Sequence, residues 1–119
     1  MKNVFLFAVT VFLMSGCAMQ APQQARSGPG GVLMTHADQY VAAGEDAQAI
    51  ALLERMVRIE PRNGHAWLRL AEIHFASGEL NKAEQFARRA MQFAGTDKML
   101  LRETQLLLDK VRRQMEQSG

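Results

Sequence analysis

The chain has 119 residues, with 14 Lys and Arg against 12 Asp and Glu and a formal net charge of +2. At 48% hydrophobic and 22% charged residues it holds enough apolar side chain for one small domain, and it is too short for two ordinary ones. A two-domain enzyme and a disordered tail are thereby excluded, and the near-balanced charge argues against a dedicated nucleic-acid binder, whose non-specific affinity comes from a basic field.

Residues 1–16 read as a secretion signal. Lys2 is followed by an apolar run from Val4 to Met14, interrupted only by the hydroxyl of Thr10. That run is too short to cross a bilayer as a helix, which takes about 20 residues, and it suits the central region of a signal peptide. The segment closes on Leu13-Met14-Ser15-Gly16-Cys17, which resembles the lipobox of bacterial lipoproteins. In that family the cysteine is lipidated and becomes the first residue of the mature chain. The resemblance implies a lipidated Cys17, and Ala18 in place of an aspartate implies retention in the outer membrane. A diacylglyceryl cysteine with an acylated amine supplies three chains, and stable anchoring needs more than one, at about 0.8 kcal/mol per buried methylene. The alternative is an ordinary leader cut after Ala18, which discards Cys17. Cys17 is the only cysteine, so an intramolecular disulfide and a thiolate-rich metal site are both excluded.

Residues 18–31 carry Pro22, Pro29 and three glycines with no apolar period, the composition of a flexible linker. Stretched, it reaches roughly 45–50 Å, and relaxed about 20 Å, so the folded part stays near its anchor. The string Gly28-Pro29-Gly30-Gly31 is not a phosphate loop, because no Gly-Lys-Ser/Thr follows it.

From residue 32 onward apolar residues recur at helical spacing, as in Ile50, Leu53 and Val57, and no strand pattern occurs. Breaks fall at Gly44, at Pro61 to Gly64, at Gly78 and at Gly95. They predict five helices, near 32–43, 46–59, 64–77, 81–94 and 97–116. Asn63, Asn81 (with Glu84 three residues on) and Thr96 or Asp97 are the candidate N-caps.

A shift of 34 residues superposes Ala37 on Ala71, Ala42 on Ala76, Gly44 on Gly78, Glu45 on Glu79, Ala49 on Ala83 and Arg55 on Arg89. The period and the placement resemble the tetratricopeptide repeat, two antiparallel helices per unit. Trp67, Leu70, Ala71, Gly78, Ala83 and Ala90 fit its pattern in residues 64–97; Ala37, Tyr40, Gly44, Ala49, Leu53 and Pro61 fit it in residues 30–63. His74 stands at the tyrosine position and Gly95 at the proline position. The fold class expected is all-α: a short α-solenoid of two helix-turn-helix repeats in a domain spanning 32–117, closed by a capping helix at 97–116. An unrelated helical bundle is the alternative, but a bundle has no reason to repeat at this period.

No catalytic constellation is present, and the chain reads as a non-enzyme without cofactor or metal. Ser77 lacks a G-x-S-x-G frame. His65 and His74 fall on opposite faces of one helix, and Glu72 and His74 do not face each other. His36 and His74 read as partly buried packing residues. Arg55, Arg58, Arg62, Arg88-Arg89 and Arg112-Arg113, interleaved with glutamates, read as a solvated, ion-paired face. Met34, Met56, Met91, Met99 and Met115 read as core filler.

What remains is a surface. In proteins of this repeat family the first helix of each unit lines a concave groove that holds a partner peptide. By position, the resemblance implies a groove set of Met34, Asp38 and Val41, then His65, Arg69, Glu72 and Phe75, then Arg102 and Leu106. A rival surface is the uncovered flank of the first helix, Val32 and Leu33, which could pair two copies weakly. A lipobox, a short tether and a few such repeats resemble the layout of small outer-membrane lipoprotein activators of class A penicillin-binding proteins, the bifunctional peptidoglycan synthases. The resemblance implies a periplasm-facing regulator that binds an envelope protein. The alternative is a pilotin-like assembly factor for a pilus or secretion component, and the short tether weighs toward a partner close to the anchoring membrane.

Overall fold

A computed structural model describes residues 29–119. The signal segment, Cys17 and most of the linker lie outside the described residues. Five helices follow one another: α1 Pro29–Ala42, α2 Asp46–Ile59, α3 Gly64–Ala76, α4 Leu80–Gln92 and α5 Lys98–Ser118. Among the described residues there is no strand. The order and number of helices match the spacing of the breaks.

Each pair of helices turns on a glycine. Gly44 and Gly78 have φ of 75° and 79°, a backbone region open to glycine at little cost. The Gly44 N–H donates to the Val41 carbonyl at 3.0 Å and the Glu45 N–H to that of Tyr40 at 2.8 Å. One period later Gly78 donates to Phe75 at 3.0 Å and Glu79 to His74 at 2.9 Å. Both are Schellman turns, which occupy carbonyls that a helix end leaves without partners. The links between units also repeat: Asn63 N–H donates to the Glu60 carbonyl and Asp97 N–H to that of Ala94, both at 3.0 Å. Asn63 then caps α3, its Oδ1 accepting from Ala66 N–H at 3.1 Å, and Asp97 caps α5, its Oδ1 accepting from Leu100 N–H at 3.0 Å.

Several boundaries differ from expectation, among them the end of α5, which runs to Ser118 rather than 116. α1 begins at Pro29, not at 32, because proline suits a first helical turn, where its missing N–H costs nothing. Asn81 is not a cap: α4 starts at Leu80, and Glu79 holds the cap position with its carboxylate turned to His74 and Lys82 instead of the helix N–H groups. α4 ends at Gln92 rather than 94.

The core lies in two clusters that share α3. Met34, Ala37, Ala49, Leu53, Met56, Val57, Ala66, Leu70 and Ile73 join α1, α2 and α3. Leu68, Ala71, Ala83, Ala87, Ala90, Ala94, Leu100, Leu107 and Val111 join α3, α4 and α5. The small side chains of the fully buried alanines let the helix axes approach. Trp67 and Phe86 pack against both clusters, with ring centroids 5.8 Å apart. The Trp67 indole N–H donates to the Pro61 carbonyl at 2.7 Å, and the Arg89 guanidinium lies over the ring. His74, buried as expected, meets Phe86 and pairs through Nδ1 with Glu79 Oε2 at 2.5 Å. His36, in contrast, is exposed, and Met99 stands out in solvent at 70% exposure rather than filling the core.

The outer sides of α1 and α5 differ from the side that α3 buries. The side of α3 that faces the first cluster presents Ala66, Leu70 and Ile73; the residues 34 earlier on α1 are Val32, His36 and Gln39, all exposed. The side of α3 that feeds the second cluster carries Leu68, Ala71 and Phe75; the residues 34 later on α5 are Arg102, Gln105 and Asp109, the last two hydrogen-bonded to each other at 3.1 Å. α5 thus buries Leu100, Thr104, Leu107 and Val111 and turns a wettable side outward, as a terminal repeat must.

A candidate partner-binding groove

The first helix of each unit and α5 frame a groove of about 770 Å³. Gly30, Met34 and Asp38 come from α1, Met56 and Glu60 from the end of α2, His65, Leu68, Arg69 and Glu72 from α3, and Glu103 from α5. Met34, Met56 and Leu68 are buried and form its floor. One turn separates Arg69 from His65 on one side and from Glu72 on the other, and Leu68 beside it has the same two neighbours, so α3 sets one stripe of side chains along the wall.

Arg69 is the centre of the site. Its Nε donates to Asp38 Oδ1 at 2.8 Å and its Nη1 to Glu72 Oε2 at 2.9 Å. Nη2 also lies 2.8 Å from Asp38 Oδ1. The guanidinium therefore ties α1 to α3 across the unit boundary. Burial opposes its charge, but the Glu72 hydrogen bond and the two carboxylates outweigh that and hold its pKa above the usual arginine value. At the mouth, His65 Nε2 lies 3.0 Å from Asp97 Oδ2. Asp97 is held below the usual carboxylate range, chiefly because it caps the Leu100 N–H and secondarily through His65.

Of the groove set expected from sequence, Met34, Asp38, His65, Arg69 and Glu72 come together here. Val41 and Phe75 do not line it; they pack against the first and second core clusters. Arg102 and Leu106 are exposed on α5 outside the lining. Glu60 and Glu103 were not anticipated. The 34-residue period carries the signal for the second: it advances Arg69 to Glu103, not to Arg102. Glu60 follows α2 and accepts from Asn63 Nδ2 at 3.0 Å, a contact that residue spacing does not announce. The groove has no paired nucleophile and base, and no group of three or more metal-ligating side chains occurs among the described residues. No described helix is long and apolar enough to cross a membrane. What the site offers is a polar wall over an apolar floor, the chemistry of peptide recognition.

Residues 40–100 match the tetratricopeptide-repeat family model. The chain belongs to the tetratricopeptide-repeat family. Its matched span runs from Tyr40, through both Schellman turns, to the first turn of α5, so α5 opens as a third first-helix of the repeat and then runs on as the cap. Among solved structures, the globular C-terminal domain of LpoP from P. aeruginosa is similar, with a TM-score of 0.71 and 34% identity over 75% of this chain and 84% of that one. No curated protein matches the sequence. Tetratricopeptide-repeat domains of this kind are protein-interaction modules, and the helices here are all-α, as the repeat requires.

Proposed function

We propose that the chain is a non-enzymatic lipoprotein, anchored by Cys17 to the outer membrane and facing the periplasm, whose repeat domain binds and activates a class A penicillin-binding protein. The observation that carries this reading is the likeness of residues packed as α1 to α5 to the globular C-terminal domain of LpoP, at 34% identity. The lipobox ahead of that domain adds to it, since a lipobox joined to a few such repeats resembles the layout of small lipoprotein activators of peptidoglycan synthases. Binding falls to the groove around Arg69, with Met34, Asp38, His65 and Glu72 as contact residues.

The test is co-purification of the lipidated chain with a bifunctional synthase, followed by glycan polymerisation with and without the chain. A rise in polymerisation supports the reading; neither association nor stimulation ends it. Cys17→Ser releases the chain from the membrane fraction if the anchor is lipid. The short tether keeps a pilotin-like role as the second reading, and loss of secretin multimers on deletion distinguishes it.

A further inference from the structure

The walls of the groove are unbalanced in charge. Asp38, Glu60, Glu72 and Glu103 set four carboxylates against the single guanidinium of Arg69, in a chain whose formal net charge is +2. Of the ion-paired cations outside the lining, Lys82 (with Glu79) and Arg88 (with Glu84) lie on α4, and Arg112, near Asp109, lies further along α5 than Glu103. Arg69 is already shared between Asp38 and Glu72. Among the described residues the Glu60 carboxylate accepts from the neutral amide of Asn63, and it rests by Gly30 in the first turn of α1. Glu103 stands exposed on the facing wall.

We propose that the groove selects a cationic, extended segment of its protein partner, with one apolar side chain set on Met34, Met56 and Leu68 and Lys or Arg side chains reaching Glu103 and Glu60. This deepens the binding role proposed above and rests on it for the identity of the site. Concave walls of one sign focus the field within the cleft and repel acidic segments, so the charge decides which segment enters while the floor holds it. The association weakens as salt rises, because Glu103 is open to solvent.

Two synthetic ten-residue peptides, one alternating Lys with Leu and the other Glu with Leu, serve as probes of the full mature chain in amide NMR titrations. The Lys peptide shifts resonances around Met34, Arg69 and Glu103, and the Glu peptide does not. Glu103→Lys weakens the Lys peptide about five-fold, as expected for loss and reversal of an exposed ion pair; Glu116→Lys, an equal change of net charge at the far end of α5, leaves it within two-fold. Equal binding of both peptides, no binding of either, shifts confined to other faces, or equal effects of the two substitutions each overturn the proposal. Polymerisation assays separate the two ideas. If Glu103→Lys stimulates a synthase as well as the native chain does, the charge selection fails and the activator role stands. If the groove takes the Lys peptide but the chain stimulates no synthase, the activator role fails and the selection stands.

Discussion

Thr104 occupies on α5 the place that Leu70 holds on α3, 34 residues earlier, and both are fully buried. Leu70 fills its position with hydrocarbon, whereas the Thr104 Oγ1 has no hydrogen-bond partner among the described residues. A buried hydroxyl without a partner costs about 1–3 kcal/mol. Thr104→Val keeps the branched shape and removes that oxygen. It should stabilise the domain by about 1 kcal/mol and raise Tm by about 4–8 °C. Thermal unfolding followed by circular dichroism checks it, and a lower Tm would show that the hydroxyl does find a partner.

Trp67→Ala should destabilise the domain by about 3–5 kcal/mol, the usual cost of removing a large aromatic side chain from a core. The indole joins the two clusters and holds the Pro61 carbonyl, so both units should loosen together. Urea denaturation read by far-ultraviolet circular dichroism measures it. A silent Trp67→Ala would contradict the packing described above.

Gly64 and Gly30 open successive units, and each meets the end of its own second helix. A Cβ on Gly64 would lie 2.7 Å from Leu100 Cδ2 and 3.2 Å from the Phe93 carbonyl oxygen. A Cβ on Gly30 would meet only the Glu60 carboxylate, at 2.5 Å, and that side chain can swing away. Gly64→Ala should therefore cost about 1–3 kcal/mol, as overpacking does, and Gly30→Ala clearly less. At the matching place on α5 the residue is Lys98, which opens that helix. Equal losses at the two glycines, in paired denaturation curves, would rule this out.

Acid should loosen α5 first. Capping of Leu100 N–H, with help from His65, depresses the Asp97 pKa in the folded chain. A lower folded than unfolded pKa means that the ionised carboxylate favours folding. Its contribution is whole above the usual aspartate range and fades as pH falls through the lower, folded value. Glu79 is depressed likewise, first by its Lys82 hydrogen bond and then by His74. Stability measured at pH 7 and pH 3 should fall on acidification, and by less in Asp97→Ala than in the native chain.

The helices are legible in the sequence because glycine and capping residues punctuate it at one period, and each of those residues has a local job. Asn63 and Asp97 announce themselves by type and by their place before an apolar run. Asn81 has the same type yet sits inside α4, because the Schellman turn at Gly78 already sets where that helix begins. Groove residues are legible only where the repeat phase is carried through. Applied across α1 and α3 it finds Asp38 and Arg69; carried into α5 it points to Glu103, while the eye is drawn to the neighbouring Arg102. Glu60 depends on how a helix end meets the start of another helix, a tertiary relation that leaves no mark in spacing.

The outward side of α5, with Arg102, Gln105 and Asp109, bears on how such a chain can lengthen over generations. Duplicated units appended after Gly119 would find hydrated side chains where the preceding units offer Leu68, Ala71 and Phe75. A further unit could stack on α5 only after those hydrated side chains were exchanged for apolar ones.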